Sequence, residues 1–183
     1  MGGPSPPRLQ LLAVAVLVAT AGCSMPMLDG SASEERTATV VSVVDGDTVD
    51  VRFADGTEER VRLLGVDTPE VHADVSPGEF EGVPDTEAGR ACLRDWGERA
   101  SEFATERLAG AEVTVATDPE ADRRGGYGRL LAYVTVDGES FNRALLDRGY
   151  ARLYDSEFSR LDGFTAEERD ARENDTGLWA CAA

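Results

Sequence analysis

The sequence predicts a mainly β domain with helices, an α+β class: a five-stranded Greek-key barrel of the OB type with about three helices. Three observations carry this expectation. Residues 38–66 hold three strand-like runs punctuated by Asp-Gly turns. A helix-period apolar stripe follows them. Two more strand-like runs then precede short helical segments, and no internal repeat is present.

The elements follow in order. Ala38–Val44 (ATVVSVV) is a β-branched run that ends at Asp45-Gly46-Asp47. Thr48–Phe53 alternates with period two, and Asp55-Gly56 is a hairpin signal. Thr57–Val66 alternates again, with Val61 and Leu63 on one face and Arg60, Arg62 and Leu64 on the other. Residues 67–85 form a long loop rich in Pro and Gly, a length that points to function. Asp85 or Thr86 caps the next helix. Its stripe is Ala88, Cys92, Trp96, Ala100, Phe103 and Leu108; Gly97 is expected to interrupt it and Gly110 to end it. Ala111–Ala116 and Arg129–Val136 read as strands, the latter ending at the Asp137-Gly138 turn. Phe141–Leu146 reads as helix. Thr165-Ala166-Glu167-Glu168 has the form of a capping box opening a last helix to about Asn174.

The chain has 183 residues, enough for one domain with extensions. At 42% hydrophobic it supports a real core. Acidic residues number 35 and basic residues 18, giving a net charge of −17. Every basic residue is arginine. The acid excess by itself argues against a nucleic-acid partner. It also resembles proteins of extreme halophiles, whose self-repulsion strong salt screens; arginine replacing lysine in a GC-rich genome is the alternative. The single histidine, His72, excludes any metal site needing two. It is read as a solvent-facing loop residue. Cys23, Cys92 and Cys181 are too far apart for a CxxC motif.

The N-terminus reads as an address. Residues 9–21 (LQLLAVAVLVATA) follow Arg8 and are too short to span a bilayer as a mature helix. They run into Ala21-Gly22-Cys23, which resembles a lipoprotein signal cleaved before a lipid-bearing Cys23. An uncleaved anchor and a plain signal peptide are the alternatives. Residues 1–22 are then a signal peptide, residues 23–37 a flexible tether, and 38–183 the folded domain. The protein is expected on the outer face of the cell membrane, lipid-anchored, or secreted. In an exported chain Cys92 and Cys181 are left to pair. The alternative for Cys92, on an apolar helix stripe, is a buried thiol.

Three clusters stand out: Asp45-Gly46-Asp47-Thr48, then Arg62 to Glu70 (RLLGVDTPE), then Tyr127-Gly128-Arg129. Each alone has a bland explanation as a turn, a loop opening or a solvent-facing arginine. Together VVDGDTV (43–49), VRLLGVDTPE (61–70) and YGRLLAYV (127–134) resemble the thermonuclease family, the staphylococcal-nuclease-like domains. The resemblance continues through Asn142–Leu146 and Gly149-Tyr150-Ala151 to Gly177-Leu178-Trp179, covering roughly residues 38–179.

The resemblance implies an OB barrel and Ca2+-dependent cleavage of phosphodiester bonds in DNA or RNA. It assigns Asp47, Asp67 and the Thr68 carbonyl to the metal, with Asp45 close behind them. Arg62 and Arg129 fall on the phosphate-binding arginines, Tyr127 on a tyrosine that hydrogen-bonds the phosphate, and Glu70 on the candidate general base. This chemistry suits the reaction. A phosphodiester repels hydroxide, and a divalent cation with two guanidinium groups neutralises the charge that builds during attack. Two features depart from the family pattern: the loop from Val71 to about Trp96 is long, and the lysine-rich rim is absent. Arg123, Arg124 and Arg129, with Arg60 and Arg62, are expected to form a local positive patch. Nucleic acid is the expected substrate, a membrane the expected partner through Cys23, and the chain is expected to be a monomer. A catalytically inactive module that binds nucleic acid or peptide is the alternative; retention of the whole constellation favours the enzyme.

Overall fold

In a computed structural model, residues 1–3 and 33–182 are described. The signal segment and Cys23 lie outside the described residues, apart from the first three positions. Strand β1 (Glu35–Val43) begins three residues before the expected domain boundary. Residues 35–37 are therefore strand and not tether: they pair with Ala116, Val115 and Thr114. That pairing satisfies backbone groups that polar side chains alone gave no reason to place in a sheet.

The Asp45-Gly46-Asp47 turn leads into β2 (Thr48–Phe53), antiparallel to β1. Gly56, with φ of 85°, turns β2 into β3 (Glu58–Leu63). Burial alternates on both strands, so Val49, Val51, Val61 and Leu63 fill the barrel. After helix α1 (Glu87–Leu108), a two-residue strand β4 (Val66–Asp67) lying behind it in sequence, the chain returns as β5 (Glu112–Ala116) and β6 (Leu130–Val136). β5 pairs with β1 and β6 with β5. A parallel β3–β6 pairing, Arg62 opposite Leu131, closes the five strands into a barrel and removes their edges. The short β7 (Glu139–Ser140) extends β6, α2 (Phe141–Asp147) follows, and β8 (Arg152–Leu153) pairs with β4. α3 (Leu161–Glu173) and a C-terminal 3-10 turn (Gly177–Ala182) complete the order.

Two sequence expectations are corrected. Gly97 does not interrupt α1, which runs unbroken for 22 residues from a Thr86 cap whose hydroxyl accepts from the Gly89 N–H. Its buried face is Gly89, Leu93, Gly97, Ala100, Ala104 and Leu108, one step around from the expected stripe. Thr165 is no cap. α3 starts at Leu161, and the Thr165 hydroxyl donates back to the Leu161 carbonyl inside the helix.

The barrel core is continuous with Leu145, Leu146, Phe158 and Phe164 from the C-terminal half. A second, smaller core lies beyond α1. There Val75, Phe80 and Val83 of the long loop pack against Leu93, Leu178 and Trp179. A disulfide joins Cys92 to Cys181 in this second core, with Cα atoms 5.9 Å apart and a sequence separation of 89. Closing so long a loop adds about 2–4 kcal/mol. Among the described residues, no helix is long and apolar enough to cross a membrane.

Candidate active site at the rim of the barrel

The site is built where β2, β3 and β4 meet at one end of the barrel. The Asp45-Gly46-Asp47 turn is held by the Val44 N–H donating to the Thr48 carbonyl (2.9 Å) and the Asp47 N–H donating to Asp45 Oδ1 (3.2 Å). Gly46 is needed for close approach: a Cβ there would lie 2.8 Å from that of Ala100 on α1 and 2.9 Å from the Thr68 methyl. The helix thus backs directly onto the turn. On the other side, β3 reverses at Leu64-Gly65, where Gly65 takes φ of 76°. That tight reversal returns the chain as β4 and sets Asp67 beside Arg62, five residues earlier.

Asp47 is only 1% exposed. Its Oδ2 accepts from the Thr68 N–H (2.8 Å) and the Thr68 hydroxyl (3.1 Å), and its Oδ1 from the Thr48 hydroxyl (3.1 Å). Arg62 ion-pairs with Oδ1 of Asp47 and with Oδ1 of Asp67. One guanidinium therefore lies between two carboxylates at the barrel rim. Burial pushes the Arg62 pKa down from its ordinary value, while Asp67 and Asp45 pull it up and Arg129 adds to the lowering. Drawing a partly buried cation away from its two carboxylates costs free energy that a bound anion has to offset.

These residues open onto a cleft of about 720 Å³. Asp45, Asp47, Arg62, Asp67, Thr68, Glu70, Tyr127 and Arg129 all line it. Glu70 is exposed on the cleft wall, and Thr68 is buried. Tyr127 stands 91% exposed, its ring centroid 5.6 Å from the Arg129 guanidinium carbon. Arg129 makes no ion pair among the described residues, and its buried Nε has no hydrogen-bond partner. Its guanidinium is therefore a charged donor at the cleft with bonding capacity left over. His72 is exposed, as expected, with Nε2 3.3 Å from the Val44 carbonyl.

The expected positive patch does not form. Arg60 pairs with Asp50 (2.8 Å), Arg123 with Glu34 (2.5 Å) and Arg124 with Glu59 (2.7 Å). Arg124 also donates to the Gly128 carbonyl, which shapes the turn behind Tyr127. With acids at twice the number of arginines, surface arginines find partners on their own surface. Of the five only Arg129 stays unpaired, and it is inside the cleft.

Sequence reasoning missed Arg152. It lies on β8 opposite Asp67, with Nη2 2.6 Å from Asp67 Oδ2. Two-residue strands carry no periodic pattern, so nothing local in the sequence signalled it.

The donor chemistry of the rim fits Ca2+. Asp47, Asp67 and the Thr68 backbone offer only hard oxygens, as that ion prefers, and the two carboxylates already converge on one cationic group. Among the described residues, no group of three or more His, Cys, Asp or Glu side chains is placed to hold a metal. A divalent cation here would rely on two carboxylates, with its remaining positions filled by backbone oxygen, water or substrate.

Comparison with known proteins agrees with this architecture. The chain is 44% identical over 147 residues to an uncharacterized protein, MJ1439, of Methanocaldococcus jannaschii, covering 76% of this chain and 70% of that one. It is 34% identical over 145 residues to endonuclease YncB of Bacillus subtilis, covering 78% of this chain and 61% of the relative. It is 30% identical over 152 residues to the thermonuclease of Staphylococcus hyicus, covering 82% and 79%. A family profile described as staphylococcal nuclease homologue matches residues 60–181, from the middle of β3 to Cys181. On these matches the chain is a member of the staphylococcal nuclease homologue family.

Proposed function

We propose that this protein is a Ca2+-dependent nuclease that hydrolyses phosphodiester bonds in DNA or RNA. The observation that carries the reading is the pairing of a buried Arg62 between Asp47 and Asp67 with an unpaired Arg129 across the same cleft. Relatives named endonuclease and thermonuclease support it.

Asp47, Asp67 and the Thr68 carbonyl would hold the ion. A bound Ca2+ supplies polarisation of a phosphoryl oxygen and of a water. The protein's own residues do the rest. Arg129 binds the phosphate through its free guanidinium edge. Arg62 leaves its carboxylates for the phosphate and neutralises charge as it develops on the equatorial oxygens. Glu70, exposed on the wall, takes the proton of the attacking water at its carboxylate. A new P–O bond to water forms as the P–O ester bond breaks, and the leaving oxygen takes a proton from solvent water, giving a phosphomonoester and a free hydroxyl. Tyr127 hydrogen-bonds the phosphate from the cleft mouth.

Export is part of the proposal. The signal-like residues 1–22 and Cys23 support a location outside the cell with a lipid anchor on Cys23, and a disulfide suits such an oxidising setting. The acidic, lysine-free composition fits work in strong salt. The deciding experiment is cleavage of labelled single-stranded DNA and RNA by the purified protein in high salt, with Ca2+ and with chelator. Cleavage that needs Ca2+ is expected; cleavage unaffected by chelator, or none at all, refutes the reading. Cys23→Ser should move the protein from the membrane to the soluble fraction.

A further inference from the structure

Arg152 lies outside the three sequence clusters. It faces Asp67 across the β4–β8 pair, and the two oxygens of Asp67 are held by different guanidinium groups: Oδ1 by Arg62, Oδ2 by Arg152 at 2.6 Å. The position of Arg152 is itself determined from several sides. The Phe80 and Tyr154 ring centroids lie 5.6 and 5.9 Å from its guanidinium carbon, and Glu79 Oε2 is 3.7 Å from Nη2. Phe80 is 3% exposed and belongs to the second core, with Trp179 and the Cys92–Cys181 bridge. The long loop therefore braces Arg152, and Arg152 braces Asp67.

We propose that Arg152 is a positioning residue for Asp67, an inference that rests on the Ca2+-dependent reading of the site. By holding Oδ2 it leaves Oδ1, shared with Arg62, as the oxygen that would face the ion. A carboxylate released from Arg152 is free to rotate both oxygens onto Arg62 as a bidentate pair, the strongest arrangement open to those two groups. Arg62 would then be withheld from phosphate and Asp67 from the ion. Arg152 prevents this capture, and its planar fork, near the Phe80 and Tyr154 rings, gives a direction that a lysine ammonium cannot.

The test is calorimetric titration of the purified protein with Ca2+, in the absence of nucleic acid, for the wild type, Arg152→Gln, Arg152→Lys and Asp67→Asn. Urea midpoints without Ca2+ accompany each. Arg152→Gln should weaken Ca2+ binding by about 10–100-fold, the usual cost of losing a partner that orients a ligand. Arg152→Lys should fall between it and the wild type, since the charge stays and the fork does not. A purely structural arginine would lower the urea midpoint and leave Ca2+ affinity alone. Wild-type affinity in Arg152→Gln, with affinity lost in Asp67→Asn, overturns the role of Arg152 while the Ca2+ reading stands. Wild-type affinity in Asp67→Asn overturns both. Should Arg152→Gln not fold, Arg152→Lys decides: weakened binding supports the proposal and unchanged binding overturns it.

Discussion

Arg60 and Arg62 stand two residues apart on the same face of β3, and each meets a carboxylate. Arg60 pairs with Asp50 on the barrel's outer surface, its side chain 54% exposed. Arg62 pairs with Asp47 and Asp67 at the rim, 17% exposed, beside carboxylates that are nearly covered. Identical chemistry therefore has two outcomes. In water the outer pair gains little, because screening and side-chain entropy offset the attraction. At the rim, desolvation offsets much of the Coulomb gain, so the pair is a poor stabiliser as well. What burial adds is consequence: removing one partner leaves a charge that water cannot reach. The rim cluster is held ready for a ligand, whereas the outer pair is surface chemistry of an arginine-and-acid protein.

The comparison is broken most directly at Asp47. Asp47→Ala leaves Arg62 with one carboxylate and strips the Thr68 N–H and hydroxyl of their acceptor. A loss of about 3–5 kcal/mol in urea denaturation is expected, together with loss of Ca2+-dependent cleavage. A wild-type midpoint would show that the buried cluster behaves like the surface.

Next in size are the arginines themselves. Arg62→Lys and Arg129→Lys keep the charge and lose the fork. Each should lower kcat by roughly 10²–10³-fold, or about 2.7–4 kcal/mol, with a smaller change in stability. Arg52→Lys is the control, an exposed partner of Glu58 on β2. If all three variants cleave at similar rates in saturating Ca2+ and constant salt, the rim is not the site.

Asp118 sharpens the contrast from another buried carboxylate. Burial pushes its pKa up, but hydrogen bonds from the Ser159 hydroxyl (2.5 Å), the Tyr133 hydroxyl (2.6 Å) and the Glu120 and Ser159 N–H groups hold it below its ordinary value. The same contact raises the Tyr133 phenol, burial being the larger cause. A lowered folded-state pKa stabilises above the unfolded value of about 3.9 and is lost as pH falls through the folded value. Asp118→Asn should therefore cost about 1–3 kcal/mol near pH 7, and the gap to wild type should narrow on acidification below pH 4. An equal gap at pH 7 and pH 2 would contradict this.

The smallest effect is expected at Arg60. Arg60→Gln should change the urea midpoint by no more than about 1 kcal/mol, and by less in molar salt, where the Debye length falls to about 3 Å. A larger loss would mean that the outer pairs are not equivalent to solvated charges.

The elements with a clear period were legible in the sequence. β2, β3, β5 and β6 follow alternation that one buried face imposes, and Thr86 and Gly110 sit at the ends of α1 as their cap and turn chemistry requires. The three motifs pointed to residues that the fold brings onto one cleft. Less legible was everything set by partners distant in sequence. β1 reaches back to Glu35 because β5 offers a ladder there, and α3 starts at Leu161 because Phe158 and Phe164 are drawn into the barrel core. The buried stripe of α1 contains Gly89 and Gly97, which no hydrophobicity pattern marks.

By itself the sequence determined the alternation of the barrel strands, the Asp-Gly turns and the identity of the rim's acids and arginines, because these rest on side-chain type and spacing along one segment. Tertiary structure alone decided which arginine of the expected patch is free. Arg60, Arg123, Arg124 and Arg129 are equally charged as letters, yet three of them meet acids on neighbouring strands or beyond and Arg129 meets none among the described residues. It also decided that Arg152 stands against Asp67, 85 residues away in sequence, since a two-residue pairing owes its place to the packing around it and not to any pattern of its own. Charge is a property of a residue, but its availability depends on distances that only the closed barrel sets.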